Sequence, residues 1–120
     1  MKTYENFINK PIIEYYLNGQ KQLELWLLNS KDHREDGPSR QMWYKNGQKK
    51  IESWYLDGKL HREDGPAYQR WMENGQKRTE NWWLDGKQYL RKEWVKELKM
   101  IGSPHYDEQL FLLDAEKYNI

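Results

Sequence analysis

The same six residues appear twice in the chain, as His33-Arg34-Glu35-Asp36-Gly37-Pro38 and as His61-Arg62-Glu63-Asp64-Gly65-Pro66. These side chains are able to do chemistry. Histidine moves protons near neutral pH, arginine clamps a phosphate or carboxylate, and aspartate orients either partner. Catalysis, however, needs one asymmetric constellation, whereas a motif returned at a fixed interval makes the same contact each time. Asp-Gly-Pro is also a turn signature. The expected role of the hexapeptides is therefore structural: a turn, a His packed on a neighbouring Trp, and an Arg paired with an acid of the next unit. A ligand is to be sought where that ladder ends, at His33, Arg34, His61 and Arg62.

A second group joins rings to cations. Trp43 with Lys50 and Trp71 with Arg78 could stack a planar ring and hold an anion, although cross-strand pairs of this kind also simply shield a small sheet. Glu24, Glu52 and Glu80 recur in register beside Gln22, Lys50 and Arg78 and read as solvated ion pairs rather than acid-base catalysts. His105, alone at a helix start, reads as a surface residue. No metal is expected, because His33 and His61 lie a whole repeat apart and their flanking arginines repel a cation. With no nucleophile elbow and no Gly-rich phosphate loop, the chain reads as a non-enzyme without cofactors.

The elements that must position these residues follow from internal repetition. Asn-Gly-Gln-Lys occurs at 18–21, 46–49 and 74–77, an interval of 28 (46 − 18 and 74 − 46). Trp26, Trp54 and Trp82 keep that interval, as do Leu28, Leu56 and Leu84, but the third hexapeptide is replaced by Tyr89-Leu90-Arg91-Lys92-Glu93-Trp94. Asn-Gly and Asp-Gly between alternating segments mark hairpins with two-residue type I′ loops. On that register Trp43 faces Lys50, Tyr15 faces Gln22 and Trp71 faces Arg78. Likewise Leu56 faces Lys59, Trp54 faces His61, and a loop at Asn29-Ser30 sets Trp26 against His33. Alternation puts each motif His beside a Trp, with Arg34 and Arg62 on the other face. The face carrying Trp, Glu and Leu is the one the repeat preserves and is expected to be packed, its Glu and Lys or Arg pairs forming the rim. The other face becomes more polar along the chain, from Leu23, Leu25 and Leu27 to Thr79, Asn81 and Trp83.

After Gly86 the period changes to that of a helix, with Leu90, Trp94, Leu98 and Ile101 on one stripe and Gly102 as terminator. Ser103-Pro104 then opens a second helix bearing Tyr106, Leu110, Phe111 and Leu113. The expected fold is α+β: an antiparallel β-meander of three 28-residue hairpin repeats capped by two C-terminal helices. It forms a single domain over 1–120, with an N-terminal segment at 1–12, β-repeats at 13–88 and the helical cap at 89–120. Phe7, Ile8, Pro11, Ile12 and Ile13 are expected to cover the first repeat; failing that, the uncapped edge could pair copies into a homo-oligomer.

Composition bounds the function. The chain has 120 residues, of which only 22 are Leu, Ile, Val or Phe, a share that with high net charge signals disorder. The net charge is only +1, and seven Trp and nine Tyr take the missing aliphatic places. Near-neutrality argues against nucleic acid and anionic membrane as partners. No segment approaches the apolar length of a membrane span, and zero Cys excludes a disulfide framework. Without an apolar leader after Met1, the expected location is the cytoplasm, that of a host cell if the protein is viral.

The unit running from Trp43-Tyr44-Lys45-Asn46-Gly47-Gln48-Lys49 through Glu52-Ser53-Trp54-Tyr55-Leu56-Asp57-Gly58-Lys59-Leu60 to His61-Arg62-Glu63-Asp64-Gly65-Pro66-Ala67 resembles the MORN-like repeat variants of giant viruses, phages and antitoxin-like bacterial proteins. The resemblance spans about residues 13–88 and implies stacked hairpins with a binding or scaffolding role. It carries no agreed set of functional residues, and the longer unit argues against transferring phosphoinositide binding. Two functions follow as expectations. The first is a phage- or virus-type protein that captures a host molecule such as a nucleotide-like anionic ligand, Trp26, Trp43, Trp54 and Trp71 stacking and Arg34, Lys50, Arg62 and Arg78 neutralising charge. The second is a protein-protein interaction module, an antitoxin-like protein or an inhibitor of a host defence protein.

Overall fold

The computed structural model describes residues 10–118; Phe7 and Ile8 lie outside them. The first two units each contribute two strands to one sheet and two to a small ribbon, whereas the third contributes three strands to the sheet. In the first unit these are β1 (Ile12–Tyr15), β2 (Lys21–Leu25), β3 (Leu27–Leu28) and β4 (Lys31–Asp32). The second contributes β5 (Arg40–Trp43), β6 (Lys49–Ser53), β7 (Tyr55–Leu56) and β8 (Lys59–Leu60). The third contributes β9 (Tyr68–Trp71), an unbroken β10 (Lys77–Leu84) and β11 (Lys87–Tyr89). Unit-opening strands thus begin at Ile12, Arg40 and Tyr68, each 28 residues on (40 − 12 and 68 − 40). The fold is α+β: a seven-stranded antiparallel sheet in the order β1-β2-β5-β6-β9-β10-β11, the ribbons β3-β4 and β7-β8, and two C-terminal helices.

The two kinds of turn differ in a way that decides which side chains meet. At the Asp57-Gly58 loop both residues have positive φ (49° and 80°), the type I′ geometry, and Leu56 pairs with Lys59 as expected. Asn29-Ser30 adopts the same turn, with φ of 52° and 66°, and His33 N–H donates to the Trp26 carbonyl at 3.1 Å. The Asn-Gly turns depart from expectation. Only Gly47 has positive φ (87°), its N–H donates to the Tyr44 carbonyl at 3.0 Å, and Tyr44 N–H donates to Gln48 O at 2.8 Å. This is a type I turn closed by a glycine bulge, which inserts one residue and slips the register. Trp43 therefore pairs with Lys49 rather than Lys50, Tyr15 with Lys21 rather than Gln22, and Trp71 with Lys77 rather than Arg78.

The sheet has almost no second layer. Its extents are 45 × 45 × 19 Å and its radius of gyration is 16.2 Å, against about 14 Å for a compact chain of this length. Apolar burial concentrates at one end, where α1 (Arg91–Met100) and α2 (Tyr106–Ala115) close the last unit. There Trp82, Leu84, Trp94, Val95 and Leu98 form the core, with Trp82 and Trp94 ring centroids 4.6 Å apart. The buried stripe of α1 is Trp94, Val95 and Leu98; Leu90 is the N-cap and is 79% exposed, and Ile101 is also exposed. Gly102, at φ 72°, ends the helix: its N–H reaches the Lys99 carbonyl and Ser103 N–H reaches that of Leu98. The second helix begins later than Ser103-Pro104, because the Ser103 hydroxyl accepts from His105 N–H and holds a turn before Tyr106.

Candidate functional site

Each hexapeptide folds its arginine back over its own loop. Arg62 donates from Nε to Asp64 Oδ1 at 2.8 Å and from Nη1 to the Pro66 carbonyl at 3.1 Å. Its guanidinium carbon lies 4.0 Å from the centroid of the Trp54 ring. Arg34 repeats the pattern with Asp36 at 2.9 Å, the Pro38 carbonyl at 3.3 Å and Trp26 at 4.4 Å. The glycines give room: a Cβ on Gly37 or Gly65 would lie 2.8 Å from the guanidinium carbon. The expected face assignment is thereby corrected. Arg covers the Trp, because strand alternation stops at residue 32 or 60 and the loop lets the long side chain turn back, while the backbone pairing of Trp26 with His33 and of Trp54 with His61 is as expected.

The histidines reach forward instead. His33 Nδ1 accepts the Asp57 N–H and His61 Nδ1 the Asp85 N–H, each at 2.9 Å. An imidazole of one unit thus holds the type I′ turn of the next. With Nδ1 accepting, the His61 proton sits on Nε2, which faces Glu63 Oε2 at 2.9 Å. Burial would raise the Glu63 carboxyl, but hydrogen bonds from Ser103 and His61 and the nearby His61 and His105 outweigh it and hold the group below its ordinary range.

Between the two loops lies a cleft of about 310 Å³, lined by Arg34, Trp54, His61 and Arg62 and closed by His105 from the start of the cap. The structure thus brings four of the expected site residues together and adds His105, which its isolation in the sequence concealed. The cleft is not basic: Glu35, Asp36, Glu63 and Asp64 also line it, so four carboxylates face two guanidiniums that are already engaged. The Trp54 indole N–H is buried with no acceptor among the described residues, whereas the Trp26 N–H donates to Glu24 at 3.0 Å. Among the described residues no three His, Cys, Asp or Glu side chains gather as metal ligands would.

Trp43 and Trp71 lie elsewhere, in a ladder near the Asn-Gly turns. Lys21 Nζ sits 5.5 Å from the Trp43 ring, and Lys49 and Lys77 each sit 5.7 Å from that of Trp71. Lys50 instead covers Tyr44 at 5.5 Å, and Arg78 is an exposed residue at the bulge. The same lysines reach carboxylates, Lys21 to Glu24 at 2.8 Å and Lys49 to Glu52 at 2.7 Å. Glu24 and Glu52 are 9% exposed, so they form the inner row of the ladder rather than its rim. For Glu24, burial acts upward, but hydrogen bonds from Lys21 and the Trp26 indole, with the charges of Lys21 and Arg34, lower its pKa overall.

Sequence reading missed the staples between units. Tyr16 and Tyr44 donate their hydroxyls to the Trp43 and Trp71 carbonyls at 2.7 and 2.8 Å. The Asn18 and Asn46 amides donate to the Lys45 and Glu73 carbonyls at 2.9 and 3.0 Å. A signal was present: the position after Tyr15, Trp43 and Trp71 is Tyr, Tyr and then Met72. The hydroxyl is dropped where no further unit follows.

Neither a family model, nor a curated protein, nor a solved structure matches the chain. No helix among the described residues is long and apolar enough to cross a membrane.

Proposed function

We propose that the chain is a non-catalytic binding module, working in the cytoplasm, that engages a partner protein through its aromatic-cation ladder. The observation that carries this is the distribution of groups still open to a ligand. Both hexapeptide guanidiniums are engaged by an aspartate, a carbonyl and an indole, and carboxylates outnumber them in the cleft. Half-buried Trp43 and Trp71 and exposed Tyr15, by contrast, form a row on a flat slab. Trp and Tyr on such surfaces are the residue types that dominate binding energy between proteins, and stacked repeats present extended surfaces suited to a folded partner.

Affinity capture with the tagged chain and with a Trp43→Ala/Trp71→Ala variant tests this. The expected result is one stoichiometric partner retained by the parent chain and lost by the variant. A ligand released from purified protein and identified by mass spectrometry, together with a thermal shift on adding that ligand, would overturn it. Such a result would favour the second reading, a small ligand seated in the cleft, for which the buried Trp54 N–H, unpaired among the described residues, is the supporting observation.

A further inference from the structure

Away from the ladder, a groove of about 510 Å³ opens between α1 and α2. Lys92, Val95, Lys96 and Lys99 line it from α1, and their spacing of three, four and seven residues places them on one helical face. Trp94, Val95 and Leu98 of the same helix are buried in the core, so Val95 shows the groove little more than an edge. Leu110 and Leu113 line the groove from α2, and Lys117 follows beyond its end. Among the described residues the lining holds one carboxylate, Asp114, paired with Lys117 at 3.5 Å, and Lys96 reaches Glu93 at 3.7 Å in a solvent-exposed pair that a partner's carboxylate can replace.

The groove therefore combines an apolar floor with a basic rim. Met100 also lines the groove and is 79% exposed, and Tyr106 joins Leu110 and Leu113 there, which gives the groove apolar surface uncovered by the described residues. A bilayer surface does not enter a concavity, and an extended peptide finds no free backbone edge between two helices. A third helix does fit: ten residues span about 15 Å, the length of either wall, and present apolar anchors at i, i+3, i+4 and i+7.

We propose that this groove docks an acidic amphipathic helix of a partner protein, its apolar stripe on Met100, Tyr106, Leu110 and Leu113 and its carboxylates against Lys92, Lys96 and Lys99. This site is separate from the ladder, and either can fail without the other.

The probe is a labelled synthetic helical peptide with leucines at i, i+3, i+4 and i+7 and glutamates elsewhere, titrated with the full chain by fluorescence anisotropy. Saturable binding is expected, weakened about tenfold by Lys96→Glu/Lys99→Glu and separately weakened by Met100→Asp. All three positions are exposed, and unchanged circular dichroism and melting would confirm that the variants fold. Equal binding of a scrambled peptide of the same composition would overturn the proposal, since charge alone would then suffice. So would no binding, insensitivity to these substitutions, or recruitment of the chain by phosphatidylglycerol vesicles in place of the peptide.

Discussion

The first and second hexapeptides share all six residues and half of their structure. In both, the arginine stacks on a Trp, bonds the motif Asp and caps the motif Pro carbonyl. In both, the His accepts a turn amide from the next unit. The remainder diverges. The Arg62 carbonyl accepts the Trp94 indole N–H at 3.2 Å, the Asp64 carbonyl accepts Gln109 Nε2 at 3.2 Å, and Glu63 is held by His61. In the first unit the low-lying carboxyl is Glu24 on the sheet, gathering Lys21, Trp26 and Arg34. Contacts within a loop and those to the following β-unit are repeated with the sequence; what diverges are the contacts to the helical cap, which only the second loop makes.

The strongest way to break this comparison is to remove the cap. Trp94→Ala deletes a fully buried ring stacked near Trp82 and the donor to the Arg62 carbonyl, and is expected to cost about 3–5 kcal/mol. Chemical denaturation should show the loss, and hydrogen exchange should show protection falling at residues 61–66 while residues 33–38 keep theirs.

Gly37→Ala and Gly65→Ala test the shared half. Each new Cβ meets its guanidinium carbon at 2.8 Å, and each arginine is pinned by a ring and two hydrogen bonds. Both changes should therefore cost a similar amount, about 1–3 kcal/mol. A large difference between them in denaturant midpoint would show that the arginine fold-back is not local.

Acid stability sharpens the divergent half. Glu63 and Glu24 have lowered pKa values in the fold, so the unfolded chain takes up their protons more readily. Their contribution is complete above the ordinary carboxylate pKa, about 4.3, and disappears as pH falls through the lowered folded values. Glu63→Gln and Glu24→Gln should each flatten the drop in melting temperature between neutral and acidic pH. Retention of the full drop in either variant would exclude that residue as its source.

The smallest effect concerns the type I′ turns, where Asn29-Ser30 stands in the place of Asp-Gly. Ser30 holds φ 66° with a Cβ, a conformation that favours glycine. Ser30→Gly is expected to stabilise the chain by about 0.5–1 kcal/mol, read as a modest rise in melting temperature.

Legibility in the sequence followed the same division. The 28-residue interval, the α+β class, the capping role of the helices and the pairing across Asp57-Gly58 were all readable, because each depends on residues close in sequence. The Asn-Gly turns were legible as turns but not in type. Asn-Gly suits both a two-residue loop and a type I turn with a glycine bulge, and the one-residue difference moved Lys50 and Arg78 out of the pairs expected for them. The cleft was half legible: Arg34, Arg62, His61 and Trp54 could be named, but not His105, nor the carboxylates that leave the cleft acidic.

By itself the sequence determined the period, the turn positions, the rings that replace aliphatic core residues, and the closing of the array after the third unit. Those properties reside in local backbone preference and in spacing along the chain. Only the tertiary structure decided that arginine rather than histidine covers the tryptophan, that Glu24 and Glu52 lie inside the ladder, and that Glu63 rather than Glu35 is drawn into a network. The first two depend on how each unit folds its own long side chains back over its sheet and loop, and the last on which groups of the cap arrive within hydrogen-bonding distance; a repeated motif carries the same letters whichever neighbour it meets.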